Sequence, residues 1–188
     1  MIRSLFLTCF FTGCAIVRAE LIPAENFVVP NDLEVTVWAS SPMFYNPTNM
    51  DVDQHGRIWV AEAVNYRKFK NKGFDVEFPE GDRVVWMQDT NGDGRADKSQ
   101  VFVQDKALVA PLGISVIDNR ILVAAAPHMV QYTDVDRNGI FDPKIDKKEL
   151  WLTGFGGQDH DHSLHSITVG PDGWFYFNAG NAGPHIVT

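Results

Sequence analysis

The body of this chain lacks cysteine. Both cysteines, Cys9 and Cys14, fall within the first 14 of 188 residues. The rest can build neither a disulfide framework nor a thiolate zinc site. Basic charge is scarce as well. Lys and Arg number 16 against 24 Asp and Glu, a net charge of −8. That balance argues against a nucleic-acid partner, because neutralising phosphate needs a basic face. No C-x-x-C-H haem motif occurs, and past the N-terminus no apolar run reaches 18 residues, short of the roughly 20 that span a bilayer. Amphipathic helical periodicity is almost absent. What remains is a chain that is 45% hydrophobic and 12% aromatic, too apolar to be intrinsically disordered.

The N-terminus reads as an export signal. A short positive start, Met1-Ile2-Arg3, precedes an apolar run from Leu5 to Val17. Val17 and Ala19 then supply the small residues at −3 and −1 of a cut after Ala19. Residues 1–19 are thus expected to be a signal peptide, placing the protein in the periplasm or outside the cell. In a variant reading, Phe11-Thr12-Gly13-Cys14 resembles a lipoprotein box, and a lipidated Cys14 tethers the chain to a membrane. Removing residues 1–19 takes away Arg3 and Arg18 and no acid, so 14 bases face 24 acids.

The remainder shows short alternating runs of Val, Ile, Trp, Phe and Tyr, punctuated by Gly, Pro, Asn and Asp. This is the strand-and-turn pattern. Leu33 to Trp38 alternates with period two. Met50 to Ala61, Ile114 to Ala124 and Ile167 to Asn178 each read as a strand, a tight Asx/Gly turn and a second strand. Between them lies another repeated unit. Val84 to Asp89 leads through an acidic loop to Gln100–Val103, and Val130 to Asp134 leads through a similar loop to Glu149–Leu152. Four-strand units recurring at roughly 40–50 residues are the mark of β-propeller blades. The expectation is an all-β propeller over residues 20–188, of which about the first two to three blades are present. Propellers close with about four to eight blades, so the chain reads as the N-terminal piece of a longer protein.

The two acidic loops share a pattern. Asp89, Asn91, Asp93 and Asp97 occupy positions 1, 3, 5 and 9, with Gly94 at 6. Asp134, Asp136, Asn138 and Asp142 repeat it with Gly139. Alternating oxygen ligands around a glycine bend suit calcium, a hard cation that takes six to eight oxygens. The twelfth positions are Gln100 and Ile145, so neither loop is an EF-hand. A plain hairpin is the alternative, since Asn-Gly and Asp-Gly form turns without metal. Calcium here would pin a hairpin.

Residues 156–165 hold three of the six histidines: His160, His162 and His165. Three readings stand open: a transition-metal site built on the histidines, His162 as a general base tuned by a carboxylate, or a polar loop without chemistry. Asp161-His162, His165, Val169 to Gly173 and the aromatic run Phe175 to Asn178 resemble the active-site stretch of the soluble quinoprotein glucose and sorbosone dehydrogenases. The resemblance implies a six-bladed propeller in which His162 removes a sugar hydroxyl proton, Asp161 assists it, and hydride passes to pyrroloquinoline quinone.

Residues 25–188 are still more similar to the membrane-bound dehydrogenase propellers of the PVC-type haem-binding family. Trp59 to Glu62 with Asn65-Tyr66, Trp86 to Asp97, and Asp161 to His165 carry that similarity. Such proteins often continue into a haem c domain, which implies a cytochrome-type electron acceptor downstream of this chain. Leu108 to Gly113 lacks the substrate-side Gln of the glucose dehydrogenases, and residues that hold the quinone would lie beyond Thr188. The expected function is an exported sugar or alcohol dehydrogenase of quinoprotein type. The alternative is a non-catalytic, calcium-stabilised propeller acting as a binding or scaffold module.

Overall fold

Ten strands, β1 to β10, make up the ordered body of the computed structural model, which describes residues 23–66, 78–156, 162–181 and 183–188. Residues 1–19, read above as a signal peptide, with Cys14 among them, and His160 and Asp161 lie outside the described residues. The chain divides into Met1–Thr36 and Val37–Thr188. In the first unit the regular structure described is a 3₁₀ turn at Ala24–Asn26.

The second unit is all-β. β1 (Pro47–Val52), β2 (Ile58–Glu62), β3 (Arg83–Gln88) and β4 (Lys98–Gln104) form one four-stranded antiparallel sheet in chain order. β5 (Gly113–Ile117), β6 (Arg120–Ala125), β7 (His128–Thr133) and β8 (Lys147–Thr153) form a second. β9 (Leu164–Val169) and β10 (Phe175–Ala179) form a hairpin. The repeated units read from the sequence are these strands. The two full sheets carry matching irregularities: the register shifts at Val84/Val85 between β3 and β4, and at Met129/Val130 between β7 and β8.

Leu33 to Trp38 departs from expectation, as it joins no sheet. Its alternation makes it fit for a ladder but does not supply a neighbour for its N–H and C=O groups. The Trp38 carbonyl instead accepts the Ala96 N–H at 2.8 Å.

Period-two alternation decides how the sheets stack. Ile121, Val123 and Ala125 of β6, with Val130 and Tyr132 of β7, meet Trp59, Ala61, Val84, Trp86 and Phe102 of the first sheet. The intervening residues, Leu122, Ala124 and Met129, point the other way and pack on Leu164, Ile167 and Phe155. The second sheet is therefore covered on both faces, which is why β6 reads as an unbroken apolar run. Val60, Val85 and Met87, on the far face of the first sheet, are covered by Trp38, Met43 and Phe44. The central rings of the first interface meet edge to face, with Trp59 and Phe102 centroids 5.2 Å apart and Tyr132 and Phe141 also at 5.2 Å.

The first strands of the three sheets lie side by side and run the same way. The Thr48 hydroxyl donates to the Pro111 carbonyl (2.6 Å), and the Val116 N–H donates to Asp51 Oδ2 (2.7 Å), tying the start of β1 to the entry of β5 and its end to the end of β5. Gly113 of β5 runs so close to β9 that a Cβ there would stand 2.8 Å from the Ser166 Cα. In a meander, successive connections alternate between the two ends of a sheet. One end therefore gathers the turns at 53–57 and 118–119 and the acidic loops 89–97 and 134–146. The other gathers residues 63–66, 78–82, 105–112, 154–156 and 162–163.

Candidate functional site

The end that carries the histidine segment is built around three glycines. A Cβ on Gly154, at φ +95°, would fall 1.8 Å from the Ile186 carbonyl oxygen; one on Gly156 would fall 2.1 Å from that of Pro184; one on Gly180 would fall 2.4 Å from that of His162. Only residues without side chains let these backbones meet. The Ser163 hydroxyl donates to the Gly156 carbonyl, and the Gly180 N–H donates to the Ser163 carbonyl. His162 sits exposed at this junction, its Nδ1 2.9 Å from Asn181 Oδ1. An amide oxygen accepts, so Nδ1 carries a proton, and in the neutral ring Nε2 then keeps its lone pair. An imidazole so oriented can take a proton from a bound hydroxyl. Asp161 and His160 lie outside the described residues, and His165 is half-buried on β9. Asn181 was not singled out in the sequence, although the Asn178-Ala-Gly-Asn181 run follows the aromatic strand directly.

Asn65 lies at the same end. Its amide brackets the Phe78 backbone, donating to the Phe78 carbonyl (2.8 Å) and accepting the Phe78 N–H (3.1 Å). This is a structural clamp, held by buried acids that sequence reasoning missed. Asp82 is fully buried; its two oxygens accept the N–H groups of Asn65 (2.9 Å) and Ala110 (2.8 Å). Burial pushes its carboxyl up to about 6 from an ordinary 3.8, against the pull of those N–H donors. Native protein therefore binds this proton more tightly than unfolded chain does. The contribution to stability is complete below about pH 4 and is lost as pH rises towards 6. Asp82→Asn should flatten that fall in urea unfolding of the full-length protein between pH 4 and 7. An unchanged pH slope would refute the assignment.

At the opposite end the two acidic loops differ. In the first, as in the second, the carboxylates are engaged by their own backbone, but they do not gather. Asp89 accepts the N–H groups of Asn91, Gly92 and Gly94. These bonds, Gly94's foremost, hold its carboxyl below the usual range. Asn91 Oδ1 accepts the Asp93 N–H, Asp93 Oδ1 the Arg95 N–H, and Asp97 both the N–H and the hydroxyl of Thr90. This is what an Asx-rich turn does without a ligand.

The second loop brings carboxylates together. Among the described residues, Asp134, Asp136 and Asp146 form the group whose oxygens all lie within 4.8 Å of one another. Asp134 and Asp146 are buried. Burial raises the Asp134 carboxyl, Asp146's charge raises it further, and the Gly139 N–H pulls it down. Asn138 Oδ1 accepts the Ile140 N–H, and Asp142 Oδ1 accepts that of Lys144. Asp146 escaped the sequence reading because it falls one residue past the twelfth position, Ile145. The first loop has Val101 there and no closing acid.

The second loop also binds the neighbouring sheet. The Trp86 indole N–H donates to the Gly139 carbonyl at 2.9 Å, and the Phe141 N–H donates to the Phe102 carbonyl at 2.8 Å. Gly139 has φ +77°, and a Cβ there would crowd the Trp86 indole nitrogen at 2.9 Å. Arg137 forks onto Asp118 with two 2.6 Å bonds, holding that carboxyl down at about 2.

One family model, that of DUF7133, a domain of unknown function, matches residues 23–188. No curated protein matches the chain. Among solved structures it is similar to a calcium structure of a Trichoderma reesei carbohydrate-active enzyme of family AA12, with 16% identity and a TM-score of 0.44 over 68% of this chain and 27% of that one. An iodide structure of an enzyme of the same family and organism aligns with 17% identity and a TM-score of 0.47, over 76% and 34% of the two chains. The chain spans about a quarter to a third of the length of those solved chains.

Proposed function

We propose that this chain, which belongs to the DUF7133 family, forms the first blades of an exported β-propeller of sugar- or alcohol-dehydrogenase type, with His162 as its base. Support for the propeller is the side-by-side, same-direction placement of β1, β5 and β9, with loops sorted to two ends. The observation that carries the chemistry is the His162–Asn181 contact at an exposed imidazole, which in the neutral ring directs the lone pair to Nε2. Oxidation of a C–OH to C=O releases a proton and a hydride. His162 Nε2 takes the proton from the hydroxyl.

The hydride needs a two-electron acceptor, and pyrroloquinoline quinone is the class that the family resemblance implies. That quinone is a polycarboxylate and calls for cationic partners. Residues 154–156, 162–165 and 178–188 contain no Lys or Arg. These segments therefore do not supply the cationic partners that it calls for. Dye-linked oxidation of sugars and alcohols by the full-length protein, with quinone and Ca²⁺ supplied, tests the reading. A folded protein that oxidises none of them is a scaffold instead.

Calcium belongs at the other end, in a structural role. Asp134, Asp136 and Asp146 offer only oxygen, as a hard cation requires. An ion there offsets the mutual repulsion of three carboxylates in the loop that grips Trp86. At a hundred times its Kd, calcium should stabilise the fold by about 2.7 kcal/mol, read as a rise in Tm over protein in EDTA. Without calcium, the raised Asp134 carboxyl gives stability that is present below its unfolded pKa and falls as pH rises through the carboxylate range; calcium should abolish that fall. Asp146→Asn should remove most of the calcium effect and Asp89→Asn little of it. A Tm indifferent to calcium would overturn this assignment.

A further inference from the structure

His185 had no role in the sequence reading, yet it completes a closed ring of hydrogen bonds at the His162 end. The Gly156 N–H donates to His185 Nδ1 (3.1 Å), and His185 Nε2 meets the Gly180 carbonyl (2.9 Å). The Gly180 N–H donates to the Ser163 carbonyl (2.6 Å), and the Ser163 hydroxyl returns to the Gly156 carbonyl (2.5 Å). The ring joins the chain before the histidine segment (Gly156), the residue after His162 (Ser163) and the residue before Asn181 (Gly180). One imidazole form satisfies both of its contacts. A backbone N–H can only donate, so Nδ1 must hold a lone pair; a carbonyl can only accept, so Nε2 must hold the proton. His185 is thus read as neutral, with its hydrogen on Nε2.

We propose that His185 is a proton-sensitive positioning residue, whose neutral Nε2–H form bridges Gly156 and Gly180 beside His162 and whose protonation on Nδ1 releases Gly156. A second proton on the ring would set two N–H donors against each other. Gly156 would then keep only the Ser163 hydroxyl. Among the described residues of the surrounding segments, 154–156, 178–181 and 183–188 contain no Asp, Glu, Lys or Arg, while Asp159 and Asp161 of the same connection lie outside the described residues. The imidazole lies near the Phe155 ring, tilted by 56° with centroids 6.4 Å apart. The titratable side chains of the facing β9 segment are His162 and His165. The effect of this device on turnover rests on the reading of His162 as base; the latch itself does not.

The test is made on the full-length protein without reference to activity. Nitrogen-15 spectra should show His185 as the Nε2–H tautomer at pH 8. Hydrogen-exchange protection of the Gly156 amide, corrected for intrinsic rate, should fall by about tenfold per pH unit once His185 is protonated. His185→Gln can accept from Gly156 and donate to Gly180 but does not titrate; it should keep the protection and lose its pH dependence. A Nδ1–H tautomer, or Gly156 protection that is level from pH 8 to 5, would overturn the proposal. Should the glutamine variant fail to fold, the tautomer and the wild-type exchange profile decide alone. A correct latch in a protein that oxidises nothing would refute the dehydrogenase reading and leave the device standing.

Discussion

His162→Gln should lower kcat for dye-linked sugar or alcohol oxidation by about 10²–10⁴-fold, the usual worth of a positioned general base. The side chain is exposed and bonded to Asn181, so its loss removes little packing. The variant should retain the wild-type Tm within about a degree or two, since surface substitutions are mostly within ±0.5 kcal/mol. Glutamine keeps a polar group at the position but cannot take up a proton. Raising the pH should restore part of the rate in the variant, as hydroxide replaces the missing base. Activity above a tenth of wild type, in a protein that does oxidise its substrate, would move the base elsewhere.

The largest loss of stability is expected from Glu62→Ala. Glu62 is fully buried at the end of β2, where it forks onto Arg83 with bonds of 2.6 and 3.0 Å and accepts the Tyr45 N–H at 2.7 Å. The Arg83 guanidinium stacks over Phe78 at 4.2 Å and Tyr45 at 5.7 Å. Removing the carboxylate leaves a half-desolvated cation and a backbone donor facing a void. Breaking such a pair costs about 3–5 kcal/mol, a large share of the roughly 5–15 kcal/mol that holds a typical fold. Replacing both partners by apolar residues, Glu62→Leu with Arg83→Met, should recover most of it, because no orphaned charge remains. Denaturant unfolding of the full-length protein decides the matter. A cost below about 1 kcal/mol for Glu62→Ala would mean that water reaches the guanidinium.

The strands were legible in the sequence for a simple reason. Each hairpin carries its own code: alternation selects the buried face, and Asp53 to Gly56, Asp118-Asn119 and Gly170 to Gly173 mark the reversals. Trp59 and Ile121 lie where period two puts them. The alternation at Leu33 to Trp38 looked the same but joined no sheet, because a ladder also needs a partner. The acidic loops were legible as Asx-Gly turns, but which one gathers carboxylates was not. That depends on Asp146, which reaches the cluster through a turn at Asp142 to Ile145 and not through ligand spacing. Glu62 and Arg83, 21 positions apart, carry no local mark; neither does Asp82, whose burial follows from the approach of Ala110. His162 stood out by composition. Its neighbour Asn181 and the imidazole of His185 did not, because the glycines that bring them close look like ordinary loop residues.

The bond from Trp86 to the Gly139 carbonyl crosses from one repeat to the next. Stacked repeats melt as a chain of neighbours, each coupled only to the one beside it. A loop that belongs to the second sheet yet grips the first makes the coupling term part of the loop's own free energy. The first sheet then cannot fray from the second without opening the carboxylate cluster, and the cluster cannot disperse without loosening an indole in the neighbouring core. Trp86, selectively labelled among the five tryptophans, is consequently an optical probe of that junction. Its emission should track the cohesion between repeats and not the unfolding of either one alone.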